Sequence, residues 1–121
     1  MEAVDGVRPG LESRIERVVD ERLITTHVGG KGVFATPAMI GLMEGASHHA
    51  VESQLPEGHT TVGYEVHVRH TAPAPPGSTV VVTSTLKEVN GNKLLFEVQC
   101  ELDGKVIGSG THKRAIVPAN F

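Results

Sequence analysis

The chain has 121 residues, a formal net charge of −3, four aromatic residues (Phe34, Tyr64, Phe96 and Phe121) and no tryptophan. That length fits one domain, read as residues 1–121 with 1–10 as a flexible N-terminal segment, and such a domain buries roughly two-thirds of its unfolded surface. A mildly acidic, ring-poor chain is a poor nucleic-acid binder, because phosphates need basic patches and bases need rings to stack on.

Apolar residues make up 39% and charged residues 21%, which is globular composition and not disorder. The core must then be aliphatic. The lone cysteine, Cys100, can form no internal disulfide. The acidic opening Met-Glu-Ala-Val-Asp-Gly lacks the apolar stretch of a signal peptide. The longest uncharged apolar run, near Val33 to Met43, is about half a bilayer span. The expectation is a cytoplasmic protein that does not meet a membrane.

Leu11 to Leu23 fits a short helix or a strand; a strand near Arg14 to Asp20 is preferred. His27-Val-Gly-Gly-Lys-Gly-Val33 is a glycine-rich loop without the Gly-Lys-Ser/Thr ending of a phosphate cradle. Thr36-Pro37 then reads as N-cap followed by N1, so a helix is predicted from Pro37 to about Gln54. At 100° per residue, Met39, Ile40, Leu42, Met43, Ala46, Ala50 and Val51 share one broad arc, and Gly41, Gly45, His48 and Glu52 lie opposite. Leu55-Pro56-Glu57-Gly58 ends the helix.

Four strands are predicted after it. Thr60 to Thr71 alternates, with Val62, Tyr64, Val66, Val68 and His70 on the covered face and Gly63, Glu65, His67, Arg69 and Thr71 on the other. Ala72 to Gly77 is a proline-rich break. Val80 to Leu86 is β-branched, and Asn90-Gly91 marks a hairpin. Lys93 to Leu102 is apolar at every even position. Asp103-Gly104 marks a second hairpin, and Lys105 to Val117 is the last strand, with Gly108 and Gly110 allowing close approach and curvature. The order predicts an α+β domain: one long helix wrapped by a curved antiparallel sheet of about five strands.

Three residues could carry chemistry. Glu44 sits at the border of the helix's apolar arc, where a carboxylate is partly desolvated and suited to acid–base work, or is simply a surface glutamate. His70 is in phase with the covered face and is the side chain best matched to proton transfer near neutral pH, or is a buried histidine satisfied by a carbonyl. Thr36 lies at a helix start, where free N–H groups stabilise developing negative charge, and it also has a plain capping role. His48 and His49 diverge by 100° and lack the spacing of a helical metal pair, so no metal site is expected. Cys100 reads as a buried small hydrophobe. His67 and His112 have no evident partner in sequence.

Val33-Phe-Ala-Thr-Pro-Ala-Met-Ile-Gly-Leu-Met-Glu44, then Gly63, then His70-Thr-Ala72, Pro75-Pro-Gly77 and Ile107-Gly-Ser-Gly-Thr-His112-Lys-Arg-Ala115 resemble the hotdog-fold thioesterases, and within them the fluoroacetyl-CoA thioesterase branch. The likeness runs over roughly residues 14–117. It implies a helix wrapped by an antiparallel sheet and a working homodimer, with pairing into a dimer of dimers left open. It implies hydrolysis of a short- or medium-chain acyl-CoA thioester, with no cofactor beyond the coenzyme A of the substrate. The catalytic hydroxyl, carboxylate and histidine of that family match Thr36, Glu44 and His70; Gly63 matches a glycine lying against the thioester, and Phe34 falls in the same substrate-binding motif. One departure stands out. The fluoroacetyl-specific enzyme carries an aromatic lid before its Val-Phe-Ala-Thr motif, and residues 27–32 here contain no phenylalanine, tyrosine or tryptophan, which argues against selectivity for a fluorinated acyl group. Two rivals share the fold. A hydratase would need an Asp spaced close to a His, but no aspartate lies between Asp20 and Asp103. A dimeric acyl-CoA or small-ligand binding protein would bind without turnover.

Thr36 and Glu44 are eight residues apart on one helix, a rise of about 12 Å. A single helix cannot bring both to one point, so a partner subunit or a returning strand must close the gap if all three residues serve one site.

Overall fold

A computed structural model describes residues 5–27 and 29–120. Its elements are β1 (Glu12–Val18), β2 (Ile24–Thr25), β3 (Val33–Phe34), α1 (Thr36–Glu52), β4 (His59–His70), β5 (Thr79–Asn90), β6 (Lys93–Leu102) and β7 (Lys105–Pro118). Five strands form one antiparallel sheet in the order β1-β5-β6-β7-β4, and β2 and β3 form a small separate ladder. The helix touches all five strands of the large sheet, so the sheet wraps it as the strand order predicted. The β2–β3 pair was not anticipated, since two-residue strands carry no periodicity.

Within the N-terminal ten residues, Val7 is buried in the core and the Gly10 N–H donates to the Leu86 carbonyl; residues 1–4 lie outside the described residues. The core is aliphatic: Met39, Met43, Ala46, Ala50 and Val51 from α1 meet Val80, Val82, Leu86, Leu94, Phe96, Val98, Cys100 and Ile107 from the sheet. The alternation read for β6 holds, because Leu94, Phe96, Val98 and Cys100 are all buried. Ser47 also lies under the helix. Its hydroxyl donates to the Met43 carbonyl, and the Ser84 hydroxyl can then donate to Ser47, which satisfies both buried oxygens. Asp103 and Gly104 both take positive φ (52° and 79°), as a tight hairpin between right-twisted strands requires. Gly108 faces α1, and a Cβ there would run into the Met39 side chain, so the glycine allows the helix to approach the sheet. No helix among the described residues is long and apolar enough to cross a membrane.

Two local readings need correction. Thr36 is not the N-cap. The cap is Ala35, in extended backbone, and it receives no side-chain hydrogen bond; its carbonyl takes the Met39 N–H at 3.0 Å. The Thr36 hydroxyl is engaged elsewhere, as described below. The second correction concerns β4. Its alternation breaks at a bulge between Gly63 and Glu65, where Tyr64 has no partner in the ladder with β7. One extra residue reverses the phase. Tyr64 is therefore 50% exposed instead of covered, while Gly63, assigned to the opposite face, points at α1.

Candidate active site

The start of α1 and the end of β4 meet. The Thr36 Oγ1 lies 2.9 Å from the His70 Nδ1, a hydrogen bond between residues 34 apart in sequence. Pro37, in the first helical turn, has no N–H to offer, and the strand carries His70 to the same end of the sheet. Phe34 is 1% exposed and meets the imidazole edge-on, with centroids 5.8 Å apart, so it fixes the ring from beneath. Burial lowers the His70 basicity, and the Ala72 backbone offsets part of that. The imidazole is thus neutral near pH 7. Its Nε2 is buried and has no hydrogen-bond partner among the described residues. A neutral histidine holding a hydroxyl on one nitrogen is equipped to take or return a proton. Thr36, His70 and Phe34 line one cleft, with Thr25, Val33 and Ala72 beside them.

Glu44 lies elsewhere. It is half-buried and lines a second recess with Gly63, Tyr64, Glu65 and Val66, a volume of about 260 Å³. One subunit therefore holds the carboxylate apart from the Thr36–His70 pair, as the helical rise required. The Gly63 backbone is crowded by three groups. A Cβ there would lie 2.8 Å from His112 Cε1, 3.1 Å from Arg114 Nη1 and 3.3 Å from Glu44 Oε2. Only a glycine leaves this space open beside the carboxylate.

Beneath Gly63 lies a polar cluster that the sequence did not disclose. Arg114 is 9% exposed, and none of the ion pairs among the described residues includes it. Its Nε–H donates to Thr61 Oγ1 (2.8 Å), an Nη2–H to the Thr61 carbonyl (2.9 Å) and an Nη1–H to His112 Nε2 (3.1 Å). The Thr61 hydroxyl also shares a hydrogen bond with His48 Nδ1 at 2.6 Å. Burial pulls the guanidinium below its usual value, and the nearby Glu44 charge opposes this. An arginine stays protonated under either influence, so a positive charge stands beside Glu44. Charged residues on strands read as a solvated face, and only the bulge in β4 and the inward phase of β7 could have flagged Arg114.

The sequence model described as the fluoroacetyl-CoA-specific thioesterase family, FlK, matches residues 18–120. The chain is 45% identical over 121 aligned residues to the fluoroacetyl-CoA thioesterase of Streptantibioticus cattleyicolor, spanning 93% of this chain and 87% of that one. The solved structure of the fluoroacetyl-CoA thioesterase FlK superposes with a TM-score of 0.87 at 36% identity, covering 96% of this chain and 92% of that chain. A thioesterase superfamily member from Thermus thermophilus gives 0.86 at 29% identity, covering 99% and 88%. A thioesterase from Haemophilus influenzae, at 18% identity and 0.77, covering 89% and 73%, shares the fold. By sequence over nearly its whole described length, and by structure, the chain belongs to the fluoroacetyl-CoA-specific thioesterase family of the hotdog fold.

Proposed function

We propose that this protein hydrolyses a short- or medium-chain acyl-CoA thioester to the free acid and coenzyme A, with Thr36, Glu44 and His70 as the catalytic set. The Thr36–His70 hydrogen bond carries this reading, because it joins a hydroxyl to a neutral base at a helix start. The ends of α1's first-turn N–H groups stabilise negative charge on the thioester oxygen. Glu44 acts as base toward water or as nucleophile toward the acyl carbon. Gly63 leaves room for the thioester against its backbone, and Phe34 orients the histidine. The reaction draws on no cofactor, since coenzyme A arrives with the substrate. The buried thiol of Cys100 suits a reducing compartment such as the cytoplasm.

The site is completed by a homodimer. β4 is an edge strand of the sheet, and its outer edge is open, with Tyr64 and Val66 exposed. Such an edge is a template for pairing with another chain. Antiparallel pairing of β4 with its copy about a two-fold axis between Val66 and His67 sets Gly63 of one chain opposite His70 of the other. This brings one chain's Glu44 recess to the partner's Thr36–His70 cleft. The relative named for fluoroacetyl-CoA acts on that thioester. Residues 27–32 of this chain carry no phenylalanine, tyrosine or tryptophan, so the expected range here is general and not fluoroacetyl-selective.

The test is thiol release from an acyl-CoA panel that includes fluoroacetyl- and acetyl-CoA, run on the wild type, Glu44→Gln and His70→Ala. Each variant should lose at least about a hundredfold in kcat, the usual scale for a general acid or base. Unchanged turnover in both variants sinks the assignment, and binding without thiol release favours a ligand-binding protein. A single turnover in heavy-oxygen water leaves label in the Glu44 carboxylate only when Glu44 attacks the acyl carbon and water then opens the resulting anhydride at the glutamyl carbon, so label found there shows the nucleophilic route.

A further inference from the structure

We propose that His112 is a positioning residue for the Glu44 half of the site: its imidazole ties the β4 bulge to the Arg114 guanidinium and so fixes the buried positive charge beside Glu44. The inference rests on the catalytic reading of Glu44.

The geometry allows one arrangement of protons. His112 Nδ1 lies 2.9 Å from the Glu65 carbonyl, which can only accept, so Nδ1 carries the hydrogen. His112 Nε2 lies 3.1 Å from Arg114 Nη1, which can only donate, so Nε2 carries the lone pair. The ring is therefore neutral and locked in one tautomer. A second proton would set an N–H of one cation against an N–H of another and remove one of Arg114's three acceptors. The ring itself is held by Phe96 of β6, stacked with centroids 6.4 Å apart.

The charged groups facing His112 are Arg114 on its own strand and Glu44 from α1. The Glu65 carboxylate from β4 turns outward to Lys113, and β6 contributes only the Phe96 ring. Burial keeps the imidazole below its ordinary proton affinity and Arg114 adds to this, while the Glu65 carbonyl and Glu44 oppose it. A buried guanidinium without a bonded carboxylate is costly unless every N–H in reach has a fixed acceptor. Thr61 supplies two acceptors from β4. His112 supplies the third, on the side that faces Gly63 and Glu44. Losing it lets the guanidinium swing relative to the carboxylate, and displacement of a charged group by about an ångström is enough to slow a reaction substantially.

The experiment combines nitrogen NMR of the histidines in the uniformly labelled wild-type protein with kinetics of two variants. The NMR should show His112 protonated on Nδ1 and bare on Nε2, staying neutral as the pH falls past the ordinary histidine range. His112→Phe keeps the stacked shape and removes both bonds; kcat on the best acyl-CoA of the panel should fall at least about tenfold with KM within about twofold. His112→Gln, whose amide oxygen can accept from Arg114, should restore kcat to within about threefold of wild type. An Nε2–H tautomer, or wild-type kcat in His112→Phe, overturns the inference. If His112→Phe does not fold, His112→Leu, which also lacks an acceptor, takes its place: a fall in kcat that His112→Gln does not share supports the role, and equal kcat in the two variants refutes it. A wild type without turnover on any thioester sinks the hydrolase reading instead, and the tautomer measurement still judges the clamp.

Discussion

Adding one methyl group at Gly63 should disable the site and destabilise the fold together. The new Cβ would stand 2.8 Å from His112 Cε1, 3.1 Å from Arg114 Nη1 and 3.3 Å from Glu44 Oε2. Each of these is tighter than ordinary van der Waals contact. The imidazole cannot rotate away without breaking two hydrogen bonds and its stack on Phe96. The guanidinium is held by three acceptors. Glu44 makes no hydrogen bond or ion pair among the described residues, so its carboxylate yields first and the remaining crowding strains β4 and β7. Overpacking of this kind costs about 1–3 kcal/mol. For a chain of 121 residues that lowers Tm by roughly 4–12 °C. Displacing Glu44 should lower kcat at least about tenfold. Gly41→Ala provides the contrast. Gly41 is an exposed helical glycine with nothing within 4 Å of its Cβ position. The same chemical change there should raise stability by about 0.5–1 kcal/mol by restricting the unfolded chain. Calorimetry and acyl-CoA turnover on both variants provide the check. A Gly63→Ala protein with unchanged Tm and full kcat refutes the packing described here.

Other tests follow from the same geometry. Thr36→Val should lower kcat at least about tenfold by removing the hydroxyl from His70, with Tm within about 4 °C of wild type because Ala35 starts the helix; lost helicity with intact turnover would restore the capping role. Mixing inactive Glu44→Gln and His70→Ala chains under subunit exchange should recover up to about a quarter of wild-type activity, because random pairing makes half the dimers mixed and gives each one intact site. No recovery, despite exchange shown by mass spectrometry, would place the whole site in one chain. Stability should fall as pH drops below about 6.5. Burial depresses His48, His70 and His112 in the fold, so the unfolded chain takes up protons there that the native state refuses. A Tm that stays flat from about pH 7.5 to about 5 contradicts that sign. Burial raises the Cys100 thiol to about 11, so a disulfide reagent at about pH 8 should label it only after denaturation; rapid labelling of native protein would contradict its burial.

The architecture was legible wherever a local pattern ran uninterrupted. β6 announced its buried face through five alternate apolar residues, and Asp103-Gly104 could hardly be other than a turn. The helix was legible because its apolar arc is broad and Pro37 marks the start, although the capping preference of threonine pointed to the wrong residue. A hydroxyl can satisfy a backbone N–H nearby or a side chain 34 residues away, and composition cannot choose between them. The bulge at Tyr64 was illegible for a related reason. One unpaired residue inverts a period of two, and nothing in Val62 to Val66 says where the inversion falls. Arg114, Thr61 and His112 stayed hidden because a cation on a strand ordinarily faces water. Only three-dimensional pairing of β4 with β7 shows that this one is buried.

That pairing also governs how the molecule comes into being. β4 follows the helix directly, yet its ladder partner is β7, with His59 opposite Pro118 and His70 opposite Gly108. During synthesis on the ribosome, β4 emerges with no strand to join, and β5 and β6 must follow before β7 can insert between β6 and β4. His112 and Arg114, which build the floor under Gly63, arrive with β7. Contacts of such long sequence separation are slow to form. Until they do, β4 is open along both edges, and nascent chains are at their most prone to associate strand to strand. Slowed elongation ahead of β7 should therefore lower the yield of soluble protein, and production at lowered temperature should raise it.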